Sequence, residues 1–124
     1  MKPGEIIIKD TEVLIGLMER NYAPILIIII CDIIKQFGAR FSESYRKKRH
    51  MNDLHGTTPV RAIDLSEWVY DDGQAKDIEQ WINIRWEYDY KRLKMKVALL
   101  HKVKGGIFHF HIQVHQNTRR RING

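Results

Sequence analysis

The chain of 124 residues has one cysteine, Cys31, so an intramolecular disulfide framework is excluded and the fold has to rest on its core. It has no apolar run of membrane-spanning length. The most hydrophobic stretch runs from Ala23 to Ile30 and on past Cys31 and Asp32 to Ile34. That is about half of what a bilayer-crossing helix needs, and a charge sits inside it. A buried element is expected there. No secretory signal is legible, because Glu5 and Lys9 interrupt the stretch from Met1 to Asp10. Cytoplasmic synthesis without a signal peptide is the resulting expectation. Internal repeats, low-complexity segments, a helix-borne His-Glu-x-x-His pair and any signature of a known nucleic-acid-binding fold are also lacking.

The composition is globular, with 44% hydrophobic and 29% charged residues. The length suits one domain over 1–124, long enough to bury roughly two-thirds of its unfolded surface. Twenty-one Lys and Arg against fifteen Asp and Glu leave a net charge of +6, which favours a polyanionic partner without specifying one.

Asp10-Thr11 reads as a cap for a first helix, with Val13, Leu14, Leu17 and Met18 on one face. Pro24 suits the first turn of a second helix reaching about Gln36, with Gly38 as its stop. The Ile-rich content of that stretch is also compatible with a strand, and length favours the helix. The N-terminal helices thus cover about 10–37, and a core region about 39–115 follows. Short strands are expected over Ala39 to Tyr45 and Val60 to Leu65, with a polar, basic loop from Lys47 to His55 between them. Asp71-Asp72-Gly73 reads as a turn and Asp77 to Glu87 as a helix with Ile78, Trp81, Ile82 and Ile84 available for packing. Strands over Met95 to Val103 and Phe108 to His115 flank a Gly105-Gly106 hairpin turn.

The last strand is the most legible part of the chain. Phe108, Phe110, Ile112 and Val114 alternate with His109, His111, Gln113 and His115. Successive strand side chains point to opposite faces. One face is therefore apolar and lies on the core, and the other is a row of imidazoles and an amide. The expected fold is α+β: a small, mainly antiparallel sheet with helices on one face and the polar site on the other.

The candidate metal ligands outside the helices are His55 in a loop, Asp64 at the end of a short strand, and His109 and His111 on one strand face. Two His and one carboxylate form a catalytic zinc set that leaves a fourth position for water. The His-x-His spacing puts the two rings about 7 Å apart along the strand. Both can serve one ion, or one can bind while the other handles protons. Each residue taken alone has a plainer reading, as a surface His, a turn Asp or a solvated strand face. Cys31 reads as a small core residue.

Taken together and in this order, His55, Asp64 within Arg61-Ala62-Ile63-Asp64-Leu65, and His109-Phe110-His111-Ile112-Gln113-Val114 resemble the LAS-type zinc peptidases. This group comprises D-Ala-D-Ala carboxypeptidases and dipeptidases, L-Ala-D-Glu endopeptidases of phage lysins, and lysostaphin-like enzymes. The resemblance runs from about Phe41 to Val114, and is to small members from phages and prophages. It implies one zinc ion held by His55, Asp64 and His111, with His109 as general base or as the group stabilising the reacting water. Arg46, in Ser44-Tyr45-Arg46, matches an Arg that holds a substrate carboxylate or carbonyl in the family. No acid stands before His109, so His101 is the reserve for the base. The implied activity is hydrolysis of peptidoglycan stem peptides, as carboxypeptidase or endopeptidase, acting on the cell wall if the chain is a phage lysin. The expected partner is a stem peptide, with a monomeric protein and no membrane span. Lys47, Lys48, Arg49 and His50 form either a basic rim or a solubilising loop.

Two other readings compete. A basic nucleic-acid-binding module would use the Arg46 to Arg49 run, the Arg119-Arg120-Arg121 end and the aromatics Trp68, Tyr70, Trp81, Trp86, Tyr88 and Tyr90. The Ile partners around 81–90 argue instead for core. A zinc-binding but inactive homologue is the third reading.

Overall fold

In a computed structural model, three helices pack on one face of a mainly antiparallel five-stranded sheet, and a histidine-rich surface forms the other face. The structure describes residues 1–71, 73–102 and 108–122, apart from the side chains of Lys102 and Phe108. The Gly105-Gly106 turn, and Asp72 of the turn before the third helix, lie outside these residues.

In chain order the elements are β1 (Ile6–Ile8), α1 (Thr11–Glu19), α2 (Pro24–Phe37), β2 (Ala39–Glu43), a 3-10 turn (Leu54–Gly56), β3 (Ala62–Ser66), α3 (Gln74–Arg85), β4 (Trp86–Glu87), β5 (Ala98–Lys102), β6 (Phe108–Gln113) and β7 (Arg119–Arg120). The sheet order is β1-β2-β3-β6-β5, with only β1 and β2 parallel; β4 and β7 form a separate ribbon.

Each helix has a sequence reason. Asp10 caps α1, its carboxylate accepting from the Val13 N–H at 3.0 Å, an interaction worth about 1 kcal/mol. The buried face of α1 is Val13 and Gly16, while Leu14 and Met18 face outward, so the face differs from the expected one. The reason is a close approach: a Cβ on Gly16 would stand 2.2 Å from Ser44 Oγ. The Ile-rich stretch is helical. Leu26, Ile29, Ile30 and Ile33 are buried at i, i+3, i+4 and i+7, and Ile27 and Ile28 point outward. Pro24 opens α2, and Gly38 ends it with φ +76, a conformation that suits glycine.

The sheet faces follow from register. Ile63 pairs with Ile112 and Leu65 with Phe110, and these four side chains join α1, α2 and α3 in one core cluster. On the opposite face Asp64 pairs with His111, Ser66 with His109, and His101 of β5 with His109. A bulge between Phe41 and Glu43 places Glu43 opposite Asp64. The edge strand β5 is protected by α3. Asn83 bonds both the N–H and the carbonyl of Ala98 at 2.9 Å, and Glu79 accepts from the Leu100 N–H. Ile84, expected to pack, is exposed. No helix among the described residues is long and apolar enough to cross a membrane.

Candidate metal centre

Asp64 lies in the middle of β3 and is buried on both sides. Its Oδ1 faces two rings at once, His55 Nε2 at 3.1 Å and His111 Nδ1 at 2.9 Å. The three ligand atoms lie within 4.8 Å of one another, a group that can hold a metal ion. The two ring–carboxylate separations are near the roughly 3.3 Å between neighbouring ligand atoms of a tetrahedral ion with bonds of about 2.0–2.1 Å.

The far nitrogens decide what stands between the rings and the carboxylate. His55 Nδ1 lies 2.9 Å from the Ser44 carbonyl, which only accepts, so Nδ1 carries the proton. His111 Nε2 lies 3.2 Å from Gln113 Oε1. The Gln113 amide is oriented by its own Nε2, which donates to the Lys96 carbonyl at 2.8 Å. In their neutral forms both rings therefore present lone pairs to Asp64 Oδ1. Without a cation, satisfying all four contacts takes two imidazoliums, one of them on His55, which is 1% exposed. With a divalent cation both rings stay neutral and each keeps its outer hydrogen bond, the usual arrangement behind histidine ligands. The donor set fits a divalent metal ion.

No family model, curated protein or solved structure matches the chain. The chemistry of the centre is therefore read from its own residues.

His55 is placed by a chain of contacts that begins in α1. Ser44 Oγ donates to the Val13 carbonyl at 2.9 Å, and the Tyr45 N–H donates to Tyr22 Oη at 3.0 Å. These fix the Ser44 carbonyl that His55 bonds. Asp53, also buried, caps the 3-10 turn by accepting from the His55 N–H at 3.2 Å. The same carboxylate takes the Arg49 N–H at 3.0 Å and Arg46 Nε and Nη2 at 3.3 and 3.4 Å. Burial pushes the Asp53 carboxyl up, but these hydrogen bonds outweigh it and hold it below the usual range. Burial likewise raises Asp64; where His111 and His55 donate to it as imidazoliums, those contacts outweigh burial and hold the carboxyl low.

Asp64 and His111 line a cavity of about 390 Å³, while His55 is buried and is not in its lining. Arg46, His101, His109 and Gln113 line it beside the ligands, with Arg49 and His50 at the rim; Lys47 and Lys48 are not in its lining. His109 Nε2 is 3.8 Å from Asp64 Oδ2, the oxygen turned away from the other two histidines. His109 and His101 face each other through Nε2 atoms 2.5 Å apart. Burial lowers the pKa of both below the ordinary histidine value, so both favour the neutral form. Arg46 sits among three carboxylates, with Nη1 3.3 Å from Glu43 and 3.9 Å from Asp64.

All six singled-out residues, His55, Asp64, His101, His109, His111 and Arg46, thus meet in one place. Ser44, Asp53 and Gln113 are structural partners that the sequence reading did not assign to the site. Gln113 had a signal, since it lies on the His111 strand face two residues on. Among the aromatics proposed for base stacking, Trp86 and Tyr88 are core, Tyr70 is buried with its hydroxyl on the Gly38 carbonyl, and Trp68 and Tyr90 are exposed.

Proposed function

We propose that the chain is a zinc-dependent peptidase acting on peptidoglycan stem peptides. The observation that carries the reading is the convergence of His55 Nε2, Asp64 Oδ1 and His111 Nδ1, each ring with its other nitrogen committed elsewhere, beneath a cavity that holds a second histidine pair. The order of these residues along the chain is the one that resembles LAS-type peptidases.

His55, Asp64 and His111 would hold the ion. Zinc supplies Lewis acidity there, bringing the pKa of water toward neutrality and polarising a carbonyl. His109 is the general base: it is neutral near pH 7 and lies on the Oδ2 side of Asp64. His101 Nε2 stands against His109 Nε2, so a proton taken up by one ring is shared with the other before return to the leaving amine. Arg46, oriented by Asp53, presents its charge on the cavity wall, where a peptide carbonyl or carboxylate is held. The Arg49 rim attracts the anionic wall polymer.

The test is zinc content of tag-free protein, wild type beside His111→Ala, followed by digestion of purified peptidoglycan. One zinc per wild-type chain, almost none in the variant, and new amino termini in the digest are expected. No zinc in either protein after reconstitution ends the reading, and binding to nucleic acid against salt becomes the next measurement.

A further inference from the structure

The cavity over the metal centre adjoins a second one, of about 480 Å³, across Asn52, Leu54 and Gln113, which line both. The far wall of the second cavity contains Tyr88, Arg92 and His115. We propose that the two form one cleft and that its second half is a carboxylate-binding subsite with Arg92 as the receptor. The inference rests on the peptidase reading and deepens it: the substrate is an acidic peptide that extends past the reacting bond on the Gln113 side.

Arg92 is built for this task. Asp89 is buried and accepts from Arg92 Nε at 2.9 Å. Asp89 is itself held by the Lys91 N–H at 3.0 Å and Asn117 Nδ2 at 3.1 Å. The guanidinium carbon stands 5.5 Å from the centre of the Tyr88 ring. One edge of the guanidinium is thus fixed by the protein. Tyr88 is a second side-chain partner of the guanidinium, but the ion pair to Asp89 runs through Nε alone, and the side chain is 49% exposed, so its outer edge faces the cavity. Two parallel N–H groups on a positioned guanidinium match the two oxygens of a carboxylate. Arg46 is the contrasting case, because Asp53 and Glu43 take three of its five N–H groups, leaving one on each of Nη1 and Nη2. The rest of the subsite lining includes Leu54, Met51 and Met95, which suit the aliphatic part of a peptide residue. A cleft open on this side of the metal centre accommodates chain beyond the reacting bond, which is the requirement of an endopeptidase.

The test uses the whole 124-residue chain in excess chelator, where no hydrolysis occurs. The probe is C-terminally amidated L-Ala-γ-D-Glu-L-Lys with a free α-carboxylate on the glutamate, compared with the same peptide carrying an α-carboxamide. Dissociation constants come from an NMR titration. Wild type is expected to bind the carboxylate form about tenfold more tightly than the amide, with shifts at Tyr88, Arg92 and His115. Arg92→Ala is expected to bind both forms equally, and Arg92→Lys to keep only part of the preference. Equal binding of the two peptides by wild type, no binding of either, or an undiminished preference in both variants would overturn the proposal. Zinc content is read separately, so failure of the metal centre and failure of this subsite give different results.

Discussion

Replacing Gln113 by Met removes the acceptor behind His111 at nearly constant side-chain volume. Two effects follow, on two different quantities. The Lys96 carbonyl loses its donor at 2.8 Å, which costs the fold about 1–3 kcal/mol if that acceptor stays unpaired. His111 loses the contact at 3.2 Å that keeps its proton on Nε2. Loss of such an outer partner weakens metal binding by about 10- to 100-fold, or about 1.4–2.7 kcal/mol. The first effect is read by urea denaturation with chelator present. The second is read by zinc competition against a chromophoric chelator at fixed pH. Gln113→Glu separates them further. Its carboxylate accepts from His111 at least as well, but it meets the Lys96 carbonyl with a second acceptor. That variant is expected to lose metal-free stability while keeping zinc affinity. A folded Gln113→Met protein that binds zinc as tightly as wild type would refute the tautomer assignment and the lone-pair geometry built on it.

His109→Ala should keep most of its zinc and lose turnover, whereas His111→Ala should lose both; equal loss of zinc in the two variants sinks the division of roles. Gly56→Ala should destabilise the fold by about 1–3 kcal/mol in urea and weaken zinc binding, because the added Cβ would stand 2.5 Å from Lys48 Cγ and 2.8 Å from the Arg46 carbonyl and the Lys48 nitrogen; wild-type stability in this variant counts against the packing described. The Lys91 N–H, with Arg92 and Asn117, holds the Asp89 carboxyl down at about 2. The unfolded chain takes up this proton first, near the ordinary carboxylate value of about 3.9. The stabilisation is therefore complete above about pH 5 and is lost as pH falls toward 2. Asp89→Asn should flatten that part of the denaturation midpoint against pH, and unchanged slopes would contradict the assignment.

The sheet was legible wherever one face was polar and the other apolar. β6 announces itself by alternation, and its register with β3 brings Asp64 to His111. The expected strand bounds differ from those formed: the strand expected from Met95 begins at Ala98, with its expected end at Val103 outside the described residues, and Val60 to Leu65 shifts to Ala62–Ser66. β1 was not legible, because Ile6 and Ile7 are exposed on the sheet edge and carry no alternation. In α2 the side-chain types suit either structure, and only burial every third and fourth residue distinguishes them. In α1 periodicity pointed to Leu14 and Met18, but the decisive residue has no side chain: Gly16 admits Ser44. The same limit applies at the site. Ligand types and their order are written in the chain, whereas the partners that orient them, Ser44 for His55 and Lys96 through Gln113 for His111, come from remote segments. Arg92 looks like any surface cation until Asp89 and the adjoining cavity are seen together.

Asp64 and His111 are 47 positions apart, and their meeting depends on the β3–β6 pairing. A disordered chain offers no such pocket. Any cation captured at this point selects the folded population by mass action. The gain grows as the logarithm of free ion over its dissociation constant, reaching about 4 kcal/mol at a thousandfold excess. For a protein this small, that is a large share of the total stability expected of a domain. On the proposed reading, zinc availability would set the lifetime and protease resistance of the molecule, and a cell or buffer poor in the ion would hold less of the protein at all.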